Sequence, residues 1–406
     1  MGSISPLVVT YNCGRELIRP EVFARHLSSA YRELPAPELI FISLQEISPI
    51  SYAFLGGSYL RAYFDRVYDT IDLITKSWGI QYTHLLTQNV GMTAFILLAR
   101  YDVSEQVRWL ESGGTGVGFR EMGNKGAVAA RLGYATPNDV IELTFIAAHL
   151  APKEHAVQRR NEDWKDIVRK LVFMPIGSRR KNVEATSDDS PENEPLIAAQ
   201  GVPHATSGIY NSSSYVFLAG DLNYRTSKTK PDPGIYDSFP QPSENGDRKH
   251  FANLLKNDQL KQEMQANRTL HGFTESEIDF PPTYKYSNKR RMLVEEKENQ
   301  GEDFDADLTS DWGWAMHRWP SWCDRILFLE VPHKIKVQKY TALPLMSTSD
   351  HRPVILSISV SLLPIPPSST EGLNPFAIDP SWYESRTAAR RREVAFGLLS
   401  YIGVSS

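Results

Sequence analysis

Several apolar runs in this chain end in side chains that can bind a cation, move a proton or contact an anion. The most informative run covers residues 216–219 (Val-Phe-Leu-Ala) and is followed by Asp221 and Asn223. Residues two apart in an extended backbone point to the same side, so the carboxylate and the amide are predicted to face one pocket. A carboxylate can take a proton from water, and an amide can hold that water or an anionic oxygen. Residues 220–223 also have ordinary turn composition, so this stretch alone leaves a surface turn open.

Two other runs end in oxygen-bearing side chains. Residues 39–44 lead to Glu46, and residues 7–11 lead to Asn12. Carboxylate and amide oxygens are the ligands that Mg²⁺ prefers, so these two residues are candidates for binding a hard cation. Taken alone, each is better explained as a capping group at the protein surface.

Two histidines adjoin apolar strands. His149 follows residues 143–148, and His351 follows Asp350. A carboxylate beside an imidazole fixes its tautomer and favours the imidazolium form, which is a suitable contact for phosphoryl oxygens. Because adjacent strand residues point to opposite faces, Asp350 is expected to pair either with His351 or with the distant His149. Either histidine is also consistent with a satisfied core residue.

Two short patterns suggest anion binding without establishing it. The loop Gly-Asn-Lys-Gly at 123–126 contains two glycines, which let a backbone approach an anion, and the positively charged Lys125. It lacks the spacing of a nucleotide-binding P-loop. Residues 13–19 fit the C-x5-R pattern of cysteine-dependent phosphatases, but their interior has one glycine and a bulky apolar pair. We therefore interpret that match as a coincidence.

The elements that must position these groups alternate between strand-like and helix-like runs. Strands are predicted at residues 7–11, 39–44, 93–99, 127–132, 143–148, 216–219, 325–329, 335–340 and 354–360. Helices are predicted at residues 21–31, 59–76, 156–171, 250–265 and 381–404. A layered α/β domain with chemical groups at the strand ends fits this spread.

Composition sets the outer bounds. The chain has 406 residues, 41% hydrophobic residues and a net charge of −4, which permits a sizeable core and disfavours general nucleic-acid binding. Its two cysteines offer no disulfide ladder, so we expect a reducing, cytoplasmic compartment. We expect no signal peptide, and no run reaches the roughly 20 apolar residues that span a bilayer.

Polar segments divide the chain. Residues 178–214 and 287–311 are predicted to be flexible insertions in a catalytic domain at 1–363. Residues 364–406 are predicted to form a Pro-rich linker and a C-terminal helix. Three arginines at 390–392 precede an apolar end, so this helix either packs on the domain or lies at an anionic membrane surface. Phe54 and Leu55 are a second candidate for lipid contact or for the core.

Together, these residues resemble the inositol polyphosphate 5-phosphatase family. The resemblance covers roughly residues 5 to 362, and its motifs follow the family's order. They are Gln-Glu at 45–46, Gly-Asn-Lys-Gly at 123–126, His-Leu at 149–150, Gly-Asp-Leu-Asn-Tyr-Arg at 220–225, Pro-Pro-Thr-Tyr-Lys-Tyr at 281–286, Pro-Ser-Trp-Cys-Asp-Arg-Ile-Leu at 320–327 and Thr-Ser-Asp-His at 348–351.

The resemblance implies a fold and an activity. The fold is a four-layer α/β sandwich, in which two mixed β-sheets pack face to face and are flanked by helices. The activity is Mg²⁺-dependent removal of the 5-phosphate from phosphoinositides, with phosphatidylinositol 4,5-bisphosphate as the preferred substrate, or from soluble inositol phosphates. We expect a monomer with no nucleic-acid partner, peripheral at the cytosolic face of the endoplasmic reticulum or plasma membrane.

The resemblance also implies residue roles. Glu46 is the expected main Mg²⁺ ligand with Asn12 nearby, and Asp221 is expected to orient and deprotonate the attacking water with Asn223 as its partner. The expected phosphate contacts are His351 and His149, with Asp350 orienting a histidine. The remaining positions match substrate contacts, Asn124 and Lys125 on the 1-phosphate side and Tyr284, Lys285 and Arg318 at the 4-phosphate.

One position departs from the family pattern. Many members have a second lysine two residues before Arg318, where this chain has Met316. The missing cation puts the preference for a 4-phosphate in doubt, with His317 or the basic run at 289–291 as candidates to compensate. A nuclease of the same fold and a catalytically dead lipid-binding scaffold are the competing functions. The acidic net charge stands against the first, and the intact site residues stand against the second.

Overall fold

The computed structural model describes residues 2–137, 139–176, 207–211, 213–302, 311–331, 333–365 and 374–404. The strands are β1 (Ser3–Ile4), β2 (Pro6–Asn12), β3 (Leu39–Gln45), β4 (Tyr82–Val90), β5 (Thr93–Arg100), β6 (Val107–Gly116), β7 (Gly126–Ala135), β8 (Val140–His149), β9 (Met174–Pro175), β10 (Ser214–Asp221), β11 (Phe273–Thr274), β12 (Asp324–Leu329), β13 (Ile335–Ala342) and β14 (Val354–Ser361). The α-helices are α1 (Pro20–Ala30), α2 (Ile50–Leu55), α3 (Arg61–Trp78), α4 (Tyr101–Ser104), α5 (Val157–Lys170), α6 (Ala252–Leu255), α7 (Gln259–Gln265), α8 (Asn288–Asn299) and α9 (Trp382–Val404).

The strands form two mixed sheets. The first has the order β1-β14-β2-β3-β5-β4 with β13 beside β14, and the second has the order β11-β12-β10-β8-β7-β6-β9. The sheets pack face to face through aromatic rings at their centre. The ring of Phe145 lies 5.2 Å from that of Phe41 in the first sheet and 5.3 Å from that of Phe217 in its own sheet. Each fully buried side chain of this kind stabilises the fold by roughly 1.5–3 kcal/mol.

Helices cover the outer face of each sheet. The amphipathic helices α1 and α3 bury residues such as Phe23 and Ile71 against the first sheet, and α3 ends at Gly79 in the left-handed conformation typical of a helix C-terminus. Helices α5 and α7 bury Trp164 and Leu260 against the second sheet. Two sheets between two helical layers make the four-layer α/β sandwich that the sequence predicted.

Both sheets bring parallel strand ends to the same region. In the first sheet β2 and β3 run parallel, so Asn12 lies beside Gln45 at their carboxyl ends. In the second sheet β8 and β10 run parallel, and His149 lies beside Asp221. All eight residues of β10 are buried, because apolar side chains anchor the strand on both faces. The side chains that follow these strands are therefore held rigidly.

Five strands were not predicted from the sequence, namely the two-residue strands β1, β9 and β11 and the longer strands β4 and β6. Strand β4 is a half-exposed edge strand with polar residues, and β6 contains two consecutive glycines, so neither has an apolar run. The helix predicted at 250–265 is interrupted and forms α6 and α7. Asp258 separates the two, because its carboxylate accepts a hydrogen bond from the Lys261 N–H and caps α7.

The two predicted insertions have different outcomes. The segment 178–214 falls mostly on residues 177–206, which lie outside the described residues, and Ser214 already belongs to β10. Part of the segment 287–311 was wrongly predicted to be flexible, because residues 288–299 form α8. Ser287 caps this helix, and Val294 and Glu298 are buried beneath it. Residues 303–310 lie outside the described residues.

The C-terminal helix α9 packs against α2. The Arg390 guanidinium donates to the backbone carbonyl oxygens of Phe54 and Leu55. Phe54 is buried and its ring lies 5.8 Å from that of Phe396, so Phe54 belongs to this contact and not to a free surface. Within the described part of the chain, no helix has both the length and the apolar character needed to cross a membrane.

Candidate active site

Asp221 lies at the centre of a buried polar cluster. Its Oδ2 accepts a hydrogen bond from Asn12 Nδ2 at 2.9 Å and lies 3.3 Å from His149 Nε2. Burial disfavours its charge, but His149, His351 and Lys125 outweigh burial and hold its pKa well below the usual range. Asp221 is therefore an anion that joins residues from both sheets.

Asn223 holds the turn after β10. Its φ of 58° is in the left-handed region, which asparagine tolerates better than most residues. Its N–H donates to Asp221 Oδ1 at 3.1 Å, and its Nδ2 donates to the Leu150 carbonyl oxygen at 3.1 Å. Its Oδ1 accepts from Arg225, whose guanidinium lies 4.4 Å from the centre of the Tyr284 ring. Asp221 and Asn223 are thus fixed by their own turn, but β10 ends at Asp221, so the extended alternation predicted to carry Asn223 to the same side was wrong.

Glu46 extends into the same cluster from the first sheet. Its backbone φ is 47°, and its carboxylate lies 2.8 Å from Arg15 Nε and 3.6 Å from Lys125 Nζ. Burial raises its pKa, but the neighbouring charges of Lys125 and Arg15 outweigh burial and lower the pKa below its usual value. Glu46 is therefore ionised, in a pocket that also holds the Asp221 carboxylate.

His149 and Lys125 form a close pair. Lys125 Nζ lies 2.6 Å from His149 Nε2. Burial lowers the pKa of both groups, and the adjacent lysine charge lowers that of His149 further. His149 is therefore neutral in this arrangement, unlike the cationic histidine that the sequence argument expected as a phosphate contact.

His351 has the opposite electrostatics. Its Nδ1 lies 2.8 Å from Asp324 Oδ2, which also accepts from Thr283 Oγ1 at 2.6 Å. Burial lowers its pKa, but the carboxylates of Asp324, Asp221 and Asp350 raise it to about 9. His351 is therefore an imidazolium at neutral pH.

These contacts place a second carboxylate, Asp324, beside His351, and the role of Asp350 in orienting a histidine stays a prediction. Asp324 holds Nδ1 of His351, whereas the Asp350 carboxylate binds Lys285 and has an oxygen 4.0 Å from His351 Nε2. Sequence reasoning missed Asp324, although it lies in the quoted motif at 320–327. Its position at the first residue of β12, directly opposite Asp221, is the signal that was available only with the strand pairing.

The expected substrate-contact residues surround this cluster. The Tyr284 ring lies 4.5 Å from the His351 ring, and Arg318 Nη1 lies 3.2 Å from both carboxylate oxygens of the buried Glu154. Asn124 precedes Lys125, and its Oδ1 is buried with no hydrogen-bond partner among the described residues. The structure thus brings all the predicted site residues to one region, and their roles stay predictions.

Two groups of side chains are candidates for holding a metal ion. Asp221, Asp324 and His351 offer atoms within 4.8 Å of one another, but a protonated imidazole has no lone pair to donate. Glu46 and Asn12 offer oxygen donors at the ends of neighbouring parallel strands, which a hard divalent cation prefers, and the charges of Lys125 and Arg15 keep the Glu46 carboxylate ionised. The second group therefore fits a hard divalent cation.

The cysteine pattern at 13–19 has no nucleophile. Cys13 is buried, and burial raises the pKa of its thiol above the usual range, whereas a nucleophilic cysteine needs a lowered one. Arg19 binds Glu298 at 2.9 Å. This geometry supports the interpretation of the pattern as a coincidence.

Comparison with known families agrees with this arrangement. Residues 9–357 match the profile of the Endonuclease/Exonuclease/phosphatase family 2. The chain belongs to this family. The motif-based resemblance to its inositol polyphosphate 5-phosphatases is confirmed by curated relatives. These include a type II inositol 1,4,5-trisphosphate 5-phosphatase of Mus musculus, 28% identical over 79% of this chain, and a synaptojanin of Caenorhabditis elegans, 31% identical over 66% of it.

The chain spans only part of the length of those relatives. The alignments cover 26% of the mouse protein and 18% of the nematode protein.

Solved structures of the same fold give a second comparison. The inositol polyphosphate 5-phosphatase domain of SPsynaptojanin, in complex with inositol (1,4)-bisphosphate and calcium ion, has a TM-score of 0.61 at 21% identity and covers 100% of this chain and 94% of its own. A Cimex nitrophorin in its ferrous NO complex has a TM-score of 0.53 at 15% identity, covering 89% and 99%. At these identities the likeness shows the fold alone, since the same fold also hosts a nitrophorin.

Proposed function

We propose that this chain is a Mg²⁺-dependent phosphatase that removes the 5-phosphate of phosphoinositides, with phosphatidylinositol 4,5-bisphosphate as its main substrate. The observation that carries the proposal is the convergence of Glu46, His149, Asp221 and His351 from both sheets on one polar cluster. A phosphoryl transfer without a covalent nucleophile needs a metal ligand, a positioned water and a cationic donor, and these residues supply all three.

The expected roles follow from the contacts. Asp221 and Asn223 hold and orient the attacking water, because Asn12 and the turn after β10 fix the carboxylate. His351 donates from Nε2 to a phosphoryl oxygen, since Asp324 occupies its Nδ1. Glu46 and Asn12 would hold the divalent cation, which supplies neutralisation of charge on the phosphoryl oxygens when bound.

The 4-phosphate is expected to contact Tyr284, Lys285 and Arg318. Lys285 and Arg318 are each paired with a carboxylate, Asp350 and Glu154 respectively, and the Asp350 carboxylate lies 4.0 Å from His351 Nε2. Such pairing keeps a flexible side chain in place for a ligand oxygen. His317 lies among these charges, and burial together with Lys285, Arg318 and Lys230 lowers its pKa. His317 is therefore a neutral hydrogen-bonding group and a poor substitute for the absent lysine at Met316.

We also propose that the chain works as a peripheral protein at the cytosolic face of a membrane. Leu399 and Ile402 on the outer side of α9 are 73% and 64% exposed, and the exposed Arg391 and Arg392 lie about two to three turns before them. Apolar side chains beside arginines favour binding to a surface of anionic lipid. The endoplasmic reticulum and the plasma membrane are the proposed locations.

The activity is tested with a panel of head groups. We expect Mg²⁺-dependent phosphate release from phosphatidylinositol 4,5-bisphosphate vesicles and slower release from soluble inositol 1,4,5-trisphosphate. An Asp221→Asn variant should be inactive, and Asp237→Asn, at an exposed carboxylate, should match the parent. Cleavage of abasic DNA without phosphate release would identify a nuclease, and head-group binding without any turnover would identify a scaffold; either result rejects the proposal.

A further inference from the structure

Helix α9 carries a fully buried carboxylate that its packing does not require. Glu393 has 0% exposure, and its Oε1 accepts from the Gly123 backbone N–H at 2.9 Å and from Arg386 Nη1 at 2.8 Å. Arg390 Nη1 lies 3.5 Å from its Oε2. A buried carboxylate costs free energy unless it is paired, so a helix that only covered the domain would be served better by an apolar residue.

The partner of Glu393 belongs to the loop at residues 118–125. On its other side, the Gly123 carbonyl oxygen accepts from the Met92 N–H at 2.9 Å. A Cβ atom on Gly123 would lie 2.8 Å from the Gly91 nitrogen, so this backbone has no room to shift in that direction. Gly123 is therefore clamped between the first sheet and α9.

A second contact from α9 holds the same loop upstream. Arg392 Nη1 donates to the Arg120 carbonyl oxygen at 3.0 Å. Arg120 and Glu121 have φ angles of 51° and 63°, in the left-handed region that side-chain-bearing residues rarely adopt. Such a loop persists only when its surroundings hold it, and α9 supplies two of the contacts that do so.

The clamped loop leads directly into the candidate active site. Asn124 and Lys125 follow Gly123, and Lys125 Nζ lies 3.6 Å from Glu46 and 2.6 Å from His149 Nε2. A shift of the Gly123 amide would therefore move a charge that contacts both the expected metal ligand and a catalytic histidine. The Glu393 carboxylate lies outside residues 9–357, the part of the chain that matches the family profile.

We propose that Glu393 is a positioning residue, through which α9 sets the position of Asn124 and Lys125 for substrate. The inference rests on the proposed function for its kinetic readout, because these two residues are expected to face the 1-phosphate side of the substrate. It assigns to the C-terminal helix a role in substrate selection that is separate from membrane binding.

The kinetic test compares Glu393→Ala, Glu393→Gln and a control, Glu384→Ala, at an exposed carboxylate in the first turn of the same helix. Each is assayed on soluble inositol 1,4,5-trisphosphate and on inositol 4,5-bisphosphate, which lacks the 1-phosphate. We expect Glu393→Ala to raise KM on the order of tenfold for the first substrate and less for the second, since displacements of about 1 Å have large kinetic effects. Glu393→Gln keeps an acceptor for Gly123 and should recover most of this loss.

A structural role alone gives a different pattern. Loss of folded protein would lower kcat equally for both substrates with KM unchanged, and that result would overturn the proposal. Unchanged kinetics in Glu393→Ala would overturn it as well.

Amide hydrogen exchange tests the clamp without reference to activity. Peptides covering residues 119–126 should exchange faster in Glu393→Ala than in the parent and in Glu384→Ala, with unchanged exchange in the central strands. Equal exchange overturns the inference. If the parent releases no phosphate, the proposed function fails, and the exchange result still decides whether Glu393 holds the loop.

Discussion

His351 Nδ1 and Asp324 Oδ2 lie 2.8 Å apart and are both buried, with Asp324 at the start of β12 in the second sheet and His351 just before β14 in the first sheet. Because Asp324 holds Nδ1, Nε2 is the nitrogen of His351 that we propose contacts substrate, and the carboxylate keeps the ring protonated. The two histidines therefore differ in charge, because His351 is beside a carboxylate and His149 is beside the ammonium group of Lys125. One imidazolium and one neutral imidazole therefore line the same pocket.

Replacing Asp324 by Asn should lower activity through His351. The pKa of His351 should fall, because burial lowers it and the largest opposing charge is gone. We expect kcat to fall by roughly 10²–10⁴-fold at pH 7.5, the range typical of a lost proton-transfer or charge-stabilising group. Steady-state phosphate release measures this, and Asp279→Asn, at an exposed carboxylate, is the matched control. Wild-type kcat in Asp324→Asn would show that His351 works without its carboxylate.

The pH dependence of the parent follows from the same pair. His351 has a folded-state pKa of about 9, above the ordinary histidine value of 6.5. Its contribution to stability is therefore fully present below pH 6.5 and is lost as pH rises through about 9. Activity that requires the imidazolium form of His351 should fall over the same pH range. A pH–rate profile with constant Mg²⁺ checks this, and a rate that keeps rising beyond pH 10 would contradict the assignment.

Substitution at Met316 should change substrate preference. Met316 is 67% exposed, so Met316→Lys should leave the free energy of unfolding within about 0.5 kcal/mol of the parent. The new cation should lower KM for substrates with a 4-phosphate a few-fold, and leave KM unchanged for those without it. Met292→Lys, at a residue 69% exposed on α8, controls for added charge. An equal effect of both substitutions would mean that Met316 lies outside the 4-phosphate contact.

The outer side of α9 should determine vesicle binding. The double variant Leu399→Glu and Ile402→Glu places two negative charges on side chains that are largely exposed, so the fold should be unaffected. Cosedimentation with vesicles containing anionic lipid should fall, since apolar contact is lost and anionic lipid repels the new charges. Met292→Glu is the control on α8. Undiminished cosedimentation of the double variant would reject the membrane proposal for α9, and phosphate release from soluble substrate should be unchanged in either case.

The sequence predicted most of the strands that carry the site. Buried strands such as β8 and β10 are continuous apolar runs, and their ends place His149 and Asp221 without further information. Edge strand β4 escaped prediction because most of it is half-exposed, and a register shift between His84 and Leu86 breaks the alternation of buried residues. Helix α8 escaped because its buried side includes Arg290 and Glu298, so no apolar stripe marks it.

Charge pairing was the part that sequence could not supply. Asp324 meets His351, and Glu393 meets Gly123, across 27 and 270 residues of chain. A periodic pattern of apolar residues indicates which side of a helix or strand is buried. It does not indicate which charged side chain from another element contacts that side. The sequence left the partner of Asp350 open between His351 and His149, and it did not indicate that Asp324 binds His351.

The hydrogen bond between Asn12 and Asp221 joins the rims of the two sheets. A small displacement of one sheet relative to the other would break this hydrogen bond while leaving every helix and strand intact. Turnover should therefore be lost at lower denaturant concentrations than the circular dichroism signal of the backbone. Catalytic activity is then a more sensitive measure of the packing between the two sheets than secondary structure is.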